Sequence, residues 1–297
     1  VAAYVTRFLR DDRGAFLATQ DADVNGHDAS APFVDGHVFY AADDAGRRRL
    51  GMPRVDPRVY ARENGLALAA LASLHAASPS PDALAAAQTA AELLARTHLR
   101  DDGAVLHEEG AVAMRYLADA AALGRGYARL AEALPPGDAA RARHVERATR
   151  IGREMLRAFG DGGGALRGHT GGADAPGARD TPEEENILAA RFLAALARVT
   201  GDASWRDRAA NVLAVMALPA HAAARGRFVG DLLLALDECG LWPWDALSPG
   251  AFVRTESHAT LAARLDAGAL VVEVTPRDGL HMNTAFPAAL SLEASGA

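Results

Sequence analysis

The chain contains no lysine and only one cysteine, and each scarcity excludes a kind of chemistry. All 31 basic residues among its 297 are arginine, so a lysine Schiff base cannot form. Because Cys239 is the single cysteine, neither an internal disulfide nor a Cys-x-x-Cys redox pair is available. Cys239 follows an apolar segment, and we expect it to be a small buried hydrophobic residue.

Long apolar runs and excess positive charge are also missing. No run approaches the roughly 20 apolar residues that span a bilayer, so no membrane partner is expected. The net charge of −7 and the pI near 5.8 argue against a nucleic-acid partner, which needs a clustered basic surface. No signal peptide is visible, and the entry in a predicted helix indicates a piece of a longer protein. The compartment is left open.

A helical-hairpin unit recurs three times along the chain. Each copy opens near an acidic residue, Glu63, Asp119 and Glu185, and these openings are 56 and 66 residues apart. An Ala/Leu-rich helix, a short polar break and a second amphipathic helix follow each opening. Periods of this size predict a stacked or circular array of α-hairpins. Because such an array confines function to one rim or cavity, the three openings mark the candidate site.

Capping residues and prolines indicate where these helices begin. Capping residues before a proline predict helix starts at Asp56-Pro57, Ser80-Pro81 and Thr181-Pro182. Residues 37–41 are predicted to be a short extended piece, and residues 101–113 a short hairpin around a turn.

The apolar patterning changes near residue 240. Residues 269–274 and residues 288–293 are predicted to be strands. We therefore expect residues 1–240 to form a partial α-hairpin array. Residues 241–297 are then a linker and the start of a small β module.

Four short stretches occur in an order that resembles a known family. They are Gln-Asp-Ala-Asp at 20–23, Val-Phe-Tyr at 38–40, the helix opening at 60–71 and Ala-Arg-Val-Thr-Gly-Asp at 197–202. Together they resemble the C-terminal helical part of the thioredoxin-domain-containing DUF255 family, which is spermatogenesis-associated protein 20-like.

This resemblance implies an all-α fold, an incomplete (α/α) toroid of helical hairpins like that of the six-hairpin glycosidases and sugar epimerases. A short β-rich C-terminal segment would follow the toroid. The cysteine-bearing thioredoxin-like domain of that family is absent from this sequence, so the resemblance implies it only as a partner.

The three acidic openings are the candidate catalytic residues. Glycoside hydrolysis uses two carboxyl groups, and equivalent ends of inner helices converge on one mouth. Glu63, Asp119 and Glu185 are therefore the catalytic candidates, with Asn64 and Asn186 as ligand-binding candidates. The alternative is that all five residues only cap helices, which the helix dipole favours for the acids.

Asp21 and Asp23 begin a segment that imitates half of a calcium loop. The twelfth position, which should be a bidentate Glu, is Pro32, so we expect carboxylates that accept backbone hydrogen bonds instead. The family resemblance makes Asp21 and Asp23 further ligand-binding candidates. The histidines lack metal-ligand spacing and the glycines lack a dinucleotide-binding context, so neither a metal nor a cofactor is predicted.

Two functions are consistent with these features. The first is a carbohydrate-related toroid that binds a sugar-like small molecule in its central cavity, with catalysis left open. The second is a non-catalytic scaffold that supports a thioredoxin-like domain or another client protein.

Overall fold

The computed structural model describes residues 1–111, 114–160, 164–171, 177, 180–217 and 225–241, and three strands beyond them. The chain divides into two compact units, Val1–Cys239 and Gly240–Ala297. Among the described helices, none is both long and apolar enough to cross a bilayer.

The first unit is mainly helical. Its only described sheet is a two-stranded one, in which β1 (Thr19–Gln20) runs antiparallel to β2 (Val55–Asp56). A 3-10 turn at Gly226–Val229 leads into the last described helix. The helices are α1 (Ala2–Phe8), α2 (Gly36–Ala41), α3 (Asp44–Leu50), α4 (Ala61–Ala77), α5 (Pro81–Thr97), α6 (Leu117–Ala133), α7 (Ala139–Phe159), α8 (Glu183–Thr200), α9 (Ser204–Met216) and α10 (Gly230–Glu238).

The long helices form an inner and an outer row. Helix α4 packs on α6, α6 packs on α8, and α8 packs on α10, which makes the inner row. Helices α5, α7 and α9 each pack against the inner helix that precedes them in the chain. This is the repeating hairpin arrangement that the sequence predicts.

Small residues bring neighbouring inner helices into backbone contact. A Cβ atom at Gly65 of α4 would lie 2.3 Å from the carbonyl carbon of Ala122 in α6. A Cβ atom at Gly124 would lie 2.3 Å from the ring of Phe192 in α8, which is fully buried. The alanine- and glycine-rich inner faces thus allow close helix packing.

A tight β-hairpin follows each of the helices α1, α5 and α7. The paired residues are Arg10 with Phe16, Leu99 with Val105, and Gly160 with Leu166. The turns hold Gly14, Gly103 and Gly164 at φ of 99°, 92° and 96°, in the left-handed region that favours glycine. Of the hairpin predicted at residues 101–113, the turn is present, with the pairing at Leu99 and Val105, and the described residues contain two further hairpins of this kind.

Two local predictions are wrong. Residues 37–41 belong to α2 rather than to an extended piece, because the Asp35 side chain accepts a hydrogen bond from the His37 amide at 2.8 Å and caps a helix. The first inner helix begins at Ala61 and not at Pro57, since Asp56 is held in β2. The predicted starts at Pro81 and after Pro182 are confirmed.

The second unit contains a three-stranded antiparallel sheet in the order β3–β4–β5, built from Phe252–Thr255, Ala259–Asp266 and Ala269–Pro276. Leu261 of β4 stands opposite Arg254 and Val274. The predicted strand at 269–274 lies within β5. Strand β4 was not predicted, because two adjacent alanines interrupt the alternation of apolar and polar residues along it. The predicted strand at 288–293 lies outside the described residues.

His144 gives the first unit a pH-dependent stability. Its side chain is buried, and its Nδ1 atom has no hydrogen-bond partner among the described residues. Burial, and after it the charge of Arg147, lowers the pKa of His144 to about 4. The unfolded chain binds a proton near pH 6.5, so this contribution to stability is complete above pH 6.5 and is lost as the pH falls towards 4.

We expect the His144→Phe variant to lose this pH dependence. Between pH 7 and pH 4 the wild-type free energy of unfolding should fall by up to about 3 kcal/mol more than that of the variant. Urea unfolding at several pH values measures this difference. His37→Phe, at an exposed position of α2, is the control and should keep the wild-type slope. An unchanged slope in His144→Phe would contradict the assignment.

Candidate functional site

The first turns of the inner helices meet at one rim of the array. Glu63, Asp119 and Glu185 are each the third residue of an inner helix. The charge of Glu63 acts on Asp119, and the charge of Asp119 acts on Glu185. The structure therefore brings together the three acidic residues that the repeat singles out.

The inner helices α4 and α6 are capped by the segment that follows their own hairpin and not by side chains of their own N-cap residues. The amide of Ala61 in α4 donates to the carbonyl of His107 at 3.0 Å, and the amide of Leu117 in α6 donates to the carbonyl of Gly168 at 2.8 Å. The amide of Arg62 donates to Oδ1 of Asp119 at 3.1 Å. These bonds satisfy helix N-terminal amides that have no partner within their own helix. Asp119 thus caps the neighbouring helix α4.

Asp119 and His107 form a close pair at the centre of the rim. The Asp119 side chain is 1% exposed, and its Oδ2 atom lies 2.9 Å from Nδ1 of His107. The ring of Tyr60 stacks on His107 with centroids 4.4 Å apart, and Tyr116 meets His107 edge-on at 5.1 Å. Burial raises the pKa of Asp119, and the contact with His107 and the Arg62 amide oppose this shift.

Glu63 and Glu185 lie beside this pair and are less completely bonded. In each carboxylate the Oε2 atom is buried and has no hydrogen-bond partner among the described residues. Oε1 of Glu63 lies 3.4 Å from a guanidinium nitrogen of Arg62. Burial raises the pKa of Glu185, Arg62 lowers it, and Asp119 raises it further. A carboxyl group held in this way is suited to keep a proton and to donate it.

We name the seven rim side chains together as the rim cluster: Tyr60, Arg62, Glu63, His107, Tyr116, Asp119 and Glu185.

Asn64 and Asn186 perform the same structural task in two repeats. The amide oxygen of Asn64 accepts from the Phe16 amide at 2.8 Å, and its nitrogen donates to the carbonyls of Phe16 and Tyr60 at 2.8 and 2.9 Å. Asn186 holds Leu166 in the same way, at 2.7 and 2.9 Å. Both side chains are fully buried. Ligand contact by either residue stays a prediction, and their geometry favours a supporting role for the rim.

Asp21 and Asp23 lie in the segment between β1 and α2. Oδ2 of Asp21 is 3.4 Å from Nε2 of His27, and Oδ1 of Asp23 accepts from the Gly36 amide at 2.7 Å. They line two surface hollows, of about 390 and 290 Å³ respectively. In the described part of the chain, neither aspartate is bonded to the rim cluster. Ligand binding by them remains a prediction, whereas the expected carboxylate–backbone bond is present at Asp23.

Metal-ligating side chains and the single thiol were the remaining candidates for chemistry in the sequence. Within them, no group of three or more His, Cys, Asp or Glu side chains could hold a metal ion. Cys239 is fully buried, and burial raises the pKa of its thiol to about 11. Its predicted role as a small buried hydrophobic residue is confirmed.

His107 is the site residue that sequence reasoning missed. Metal-ligand spacing does not single out His107, which reaches the rim through its position after a hairpin. The available signal is the repeated hairpin itself, Leu-Arg-Asp-Asp-Arg-Gly-Ala at 9–15 and Leu-Arg-Asp-Asp-Gly-Ala at 99–104. His107 is the third residue after the second of these segments.

No family model matches the chain, and no curated protein matches it. A sugar epimerase from a ruminal bacterium is 13% identical with a TM-score of 0.50, over 72% of this chain and 53% of that one. A GH76 α-mannanase from Bacteroides thetaiotaomicron is 15% identical with a TM-score of 0.50, over 66% and 55%.

These likenesses show the fold. The structural neighbours have the six-hairpin glycosidase-like (α/α) toroid, which confirms the predicted fold class. The chain spans about half the length of the solved structures that it matches. No comparison supports the resemblance to the thioredoxin-domain-containing DUF255 family.

Asn64 and Asn186, which bond the backbone of neighbouring hairpins, should each contribute strongly to the stability of the first unit. We expect Asn64→Ala and Asn186→Ala each to lower the free energy of unfolding by about 2–4 kcal/mol, because each leaves several buried backbone groups without partners. Asn211→Ala, at an exposed position of α9, is the matched control and should change stability by less than about 0.5 kcal/mol. Chemical denaturation provides the measurement. If the two variants lose no more free energy of unfolding than the control, the hydrogen bonds of Asn64 and Asn186 contribute little to stability.

Proposed function

We propose that the rim cluster binds a sugar-like small molecule. The observation that carries the proposal is the His107–Asp119 pair, framed by two tyrosine rings and flanked by two carboxylates with unbonded oxygens. Sugar sites combine an aromatic surface for the apolar face of the ring with a few fixed polar groups for its hydroxyls. The rim cluster offers both kinds of group within one set of contacts.

Each part of the cluster has a distinct task in this proposal. Tyr116, which is 37% exposed, supplies the stacking surface. The half-buried carboxylates of Glu63 and Glu185 accept hydrogen bonds from the hydroxyl groups of the ligand. Asn64 and Asn186 hold the hairpins that shape the rim. The epimerase and the α-mannanase use the same fold for sugars, which supports the choice of ligand class.

A catalytic role extends the proposal. Glu185, whose carboxyl pKa is raised by burial, is the proton donor to a glycosidic or carbonyl oxygen. Glu63 or Asp119 is then the second carboxylate that such chemistry requires. Asp119 is the weaker choice, because both of its oxygens are already bonded, one to Arg62 and one to His107.

The same bonds favour a second candidate function, a non-catalytic scaffold. Asp119 is bound to a backbone amide, and Asn64 and Asn186 are bound to the backbone of hairpins. A scaffold would need these groups for stability alone. The thioredoxin-like partner implied by the family resemblance belongs to this alternative and stays a prediction.

Titration of mono- and disaccharides, followed by calorimetry or ligand-observed NMR, tests the proposal. We expect Tyr116→Ala to weaken binding of the best sugar about tenfold, which corresponds to about 1.4 kcal/mol. Tyr40→Ala is the control, because Tyr40 is also exposed but lies in α2 outside the rim cluster. Absence of sugar binding by the wild-type chain would instead favour the scaffold.

Glu185→Gln separates binding from catalysis. In the catalytic form of the proposal this variant binds sugar within about threefold of wild type but loses at least about a hundredfold in turnover. Glu184→Gln, at the exposed neighbouring position, should leave both quantities unchanged. Equal turnover in the two variants would remove Glu185 as the proton donor.

A further inference from the structure

A second polar cluster lies on the same inner helices, further from the rim. We call it the inner-face cluster, and its members are Arg125, Arg129, Glu132, Arg191, Arg198 and Glu238. Arg125 is six residues beyond Asp119 in α6, or roughly 9 Å along the helix axis.

The members of this cluster come from three inner helices. Arg125 of α6 reaches Glu238 of α10, although α8 packs between these two helices. The cluster therefore links three inner helices, α6, α8 and α10, through their charged side chains.

Both carboxylates of this cluster already form ion pairs with arginine side chains. Oε2 and Oε1 of Glu238 lie 2.7 and 2.9 Å from Nε and Nη2 of Arg191. Oε1 of Glu132 lies 2.8 Å from Nε of Arg198, and Glu132 also pairs with Arg129. Four guanidinium charges thus face two carboxylates, and the exposed Asp231 acts on Arg191 only at longer range.

Arg125 is the arginine with the least compensation. Its side chain is 15% exposed, and its nearest carboxylate oxygen, Oε1 of Glu238, is 3.5 Å away and already bonded to Arg191. Its Nε atom is buried and has no hydrogen-bond partner among the described residues. Burial lowers the pKa of Arg125, and the charges of Arg191 and Arg129 lower it further. A buried charge without its own counter-ion is unfavourable.

We propose that the inner-face cluster is a binding site for a small oxyanion such as a phosphate group, held by Arg125 together with Arg191. An oxyanion supplies the missing negative charge and accepts hydrogen bonds from the partly exposed guanidinium groups of Arg125 and Arg191, whose side chains are 15% and 16% exposed. Guanidinium groups match the geometry of phosphate and sulfate with paired hydrogen bonds. This proposal is independent of sugar binding at the rim cluster, since it uses other residues and another ligand.

Thermal unfolding and calorimetry with sodium phosphate, compared with sodium chloride at equal ionic strength, test this site. We expect phosphate to bind wild type saturably and raise its Tm, and Arg125→Gln to weaken phosphate binding at least about tenfold. Arg147→Gln is the matched control. Arg147 is 16% exposed, like Arg125, but its charge is compensated by Glu92 through two bonds of 2.8 Å. This control should bind phosphate within about twofold of wild type.

Glu238→Gln tests the site in the opposite direction. Removing this carboxylate raises the surplus positive charge, so phosphate should bind several times more tightly than to wild type. If Arg125→Gln does not fold, this variant decides alone. The proposal is overturned if phosphate acts on wild type only as chloride does, if Arg125→Gln binds phosphate like wild type, or if Glu238→Gln binds it no more tightly.

Discussion

The structure depends on one requirement, that the N-terminal amides of the inner helices find hydrogen-bond acceptors. The first amides of any helix have no partner within it, and at a crowded rim water does not supply one easily. Here the acceptors come from the next repeat: the His107 carbonyl for Ala61, and the Asp119 carboxylate for Arg62. Helix α4 is therefore completed by the repeat that follows it, and the Gly168 carbonyl does the same for Leu117 of α6.

This requirement also explains why acidic side chains gather at the rim. Asp119 is buried because it must reach the amide of α4, and burial raises its pKa. His107 and the neighbouring tyrosines then surround a carboxylate that is present for a structural reason. The same groups supply what a polar ligand needs, namely fixed acceptors beside aromatic rings. A capping role and a ligand-binding role are therefore compatible at Asp119. The two roles are easier to distinguish at Glu63 and Glu185, because Oε2 of each has no hydrogen-bond partner among the described residues.

The sequence was informative where a residue acts within its own repeat. The hairpin array, the third-position acids and the starts of α5 and α8 follow from local spacing and capping residues. It was uninformative where the partner belongs to another repeat. The sequence around Asn64 does not show that its side chain bonds the backbone of Phe16, 48 positions away. Nor does the sequence around His107 show that its ring contacts Asp119. His37 shows a third limit, because a short apolar run fits a strand as well as a helix until the cap at Asp35 decides.

The register of the inner helices separates the two polar sites. Arg125 and Arg191 are both the ninth residue of their helices, whereas the rim acids are the third. Two guanidinium groups at equal height on adjacent helices repel each other, and they coexist because α10 brings Glu238 between them. One carboxylate neutralises only one of the two charges. The remaining charge at Arg125 is therefore a direct consequence of placing the repeats in register, and it is the charge that the proposed anion would compensate.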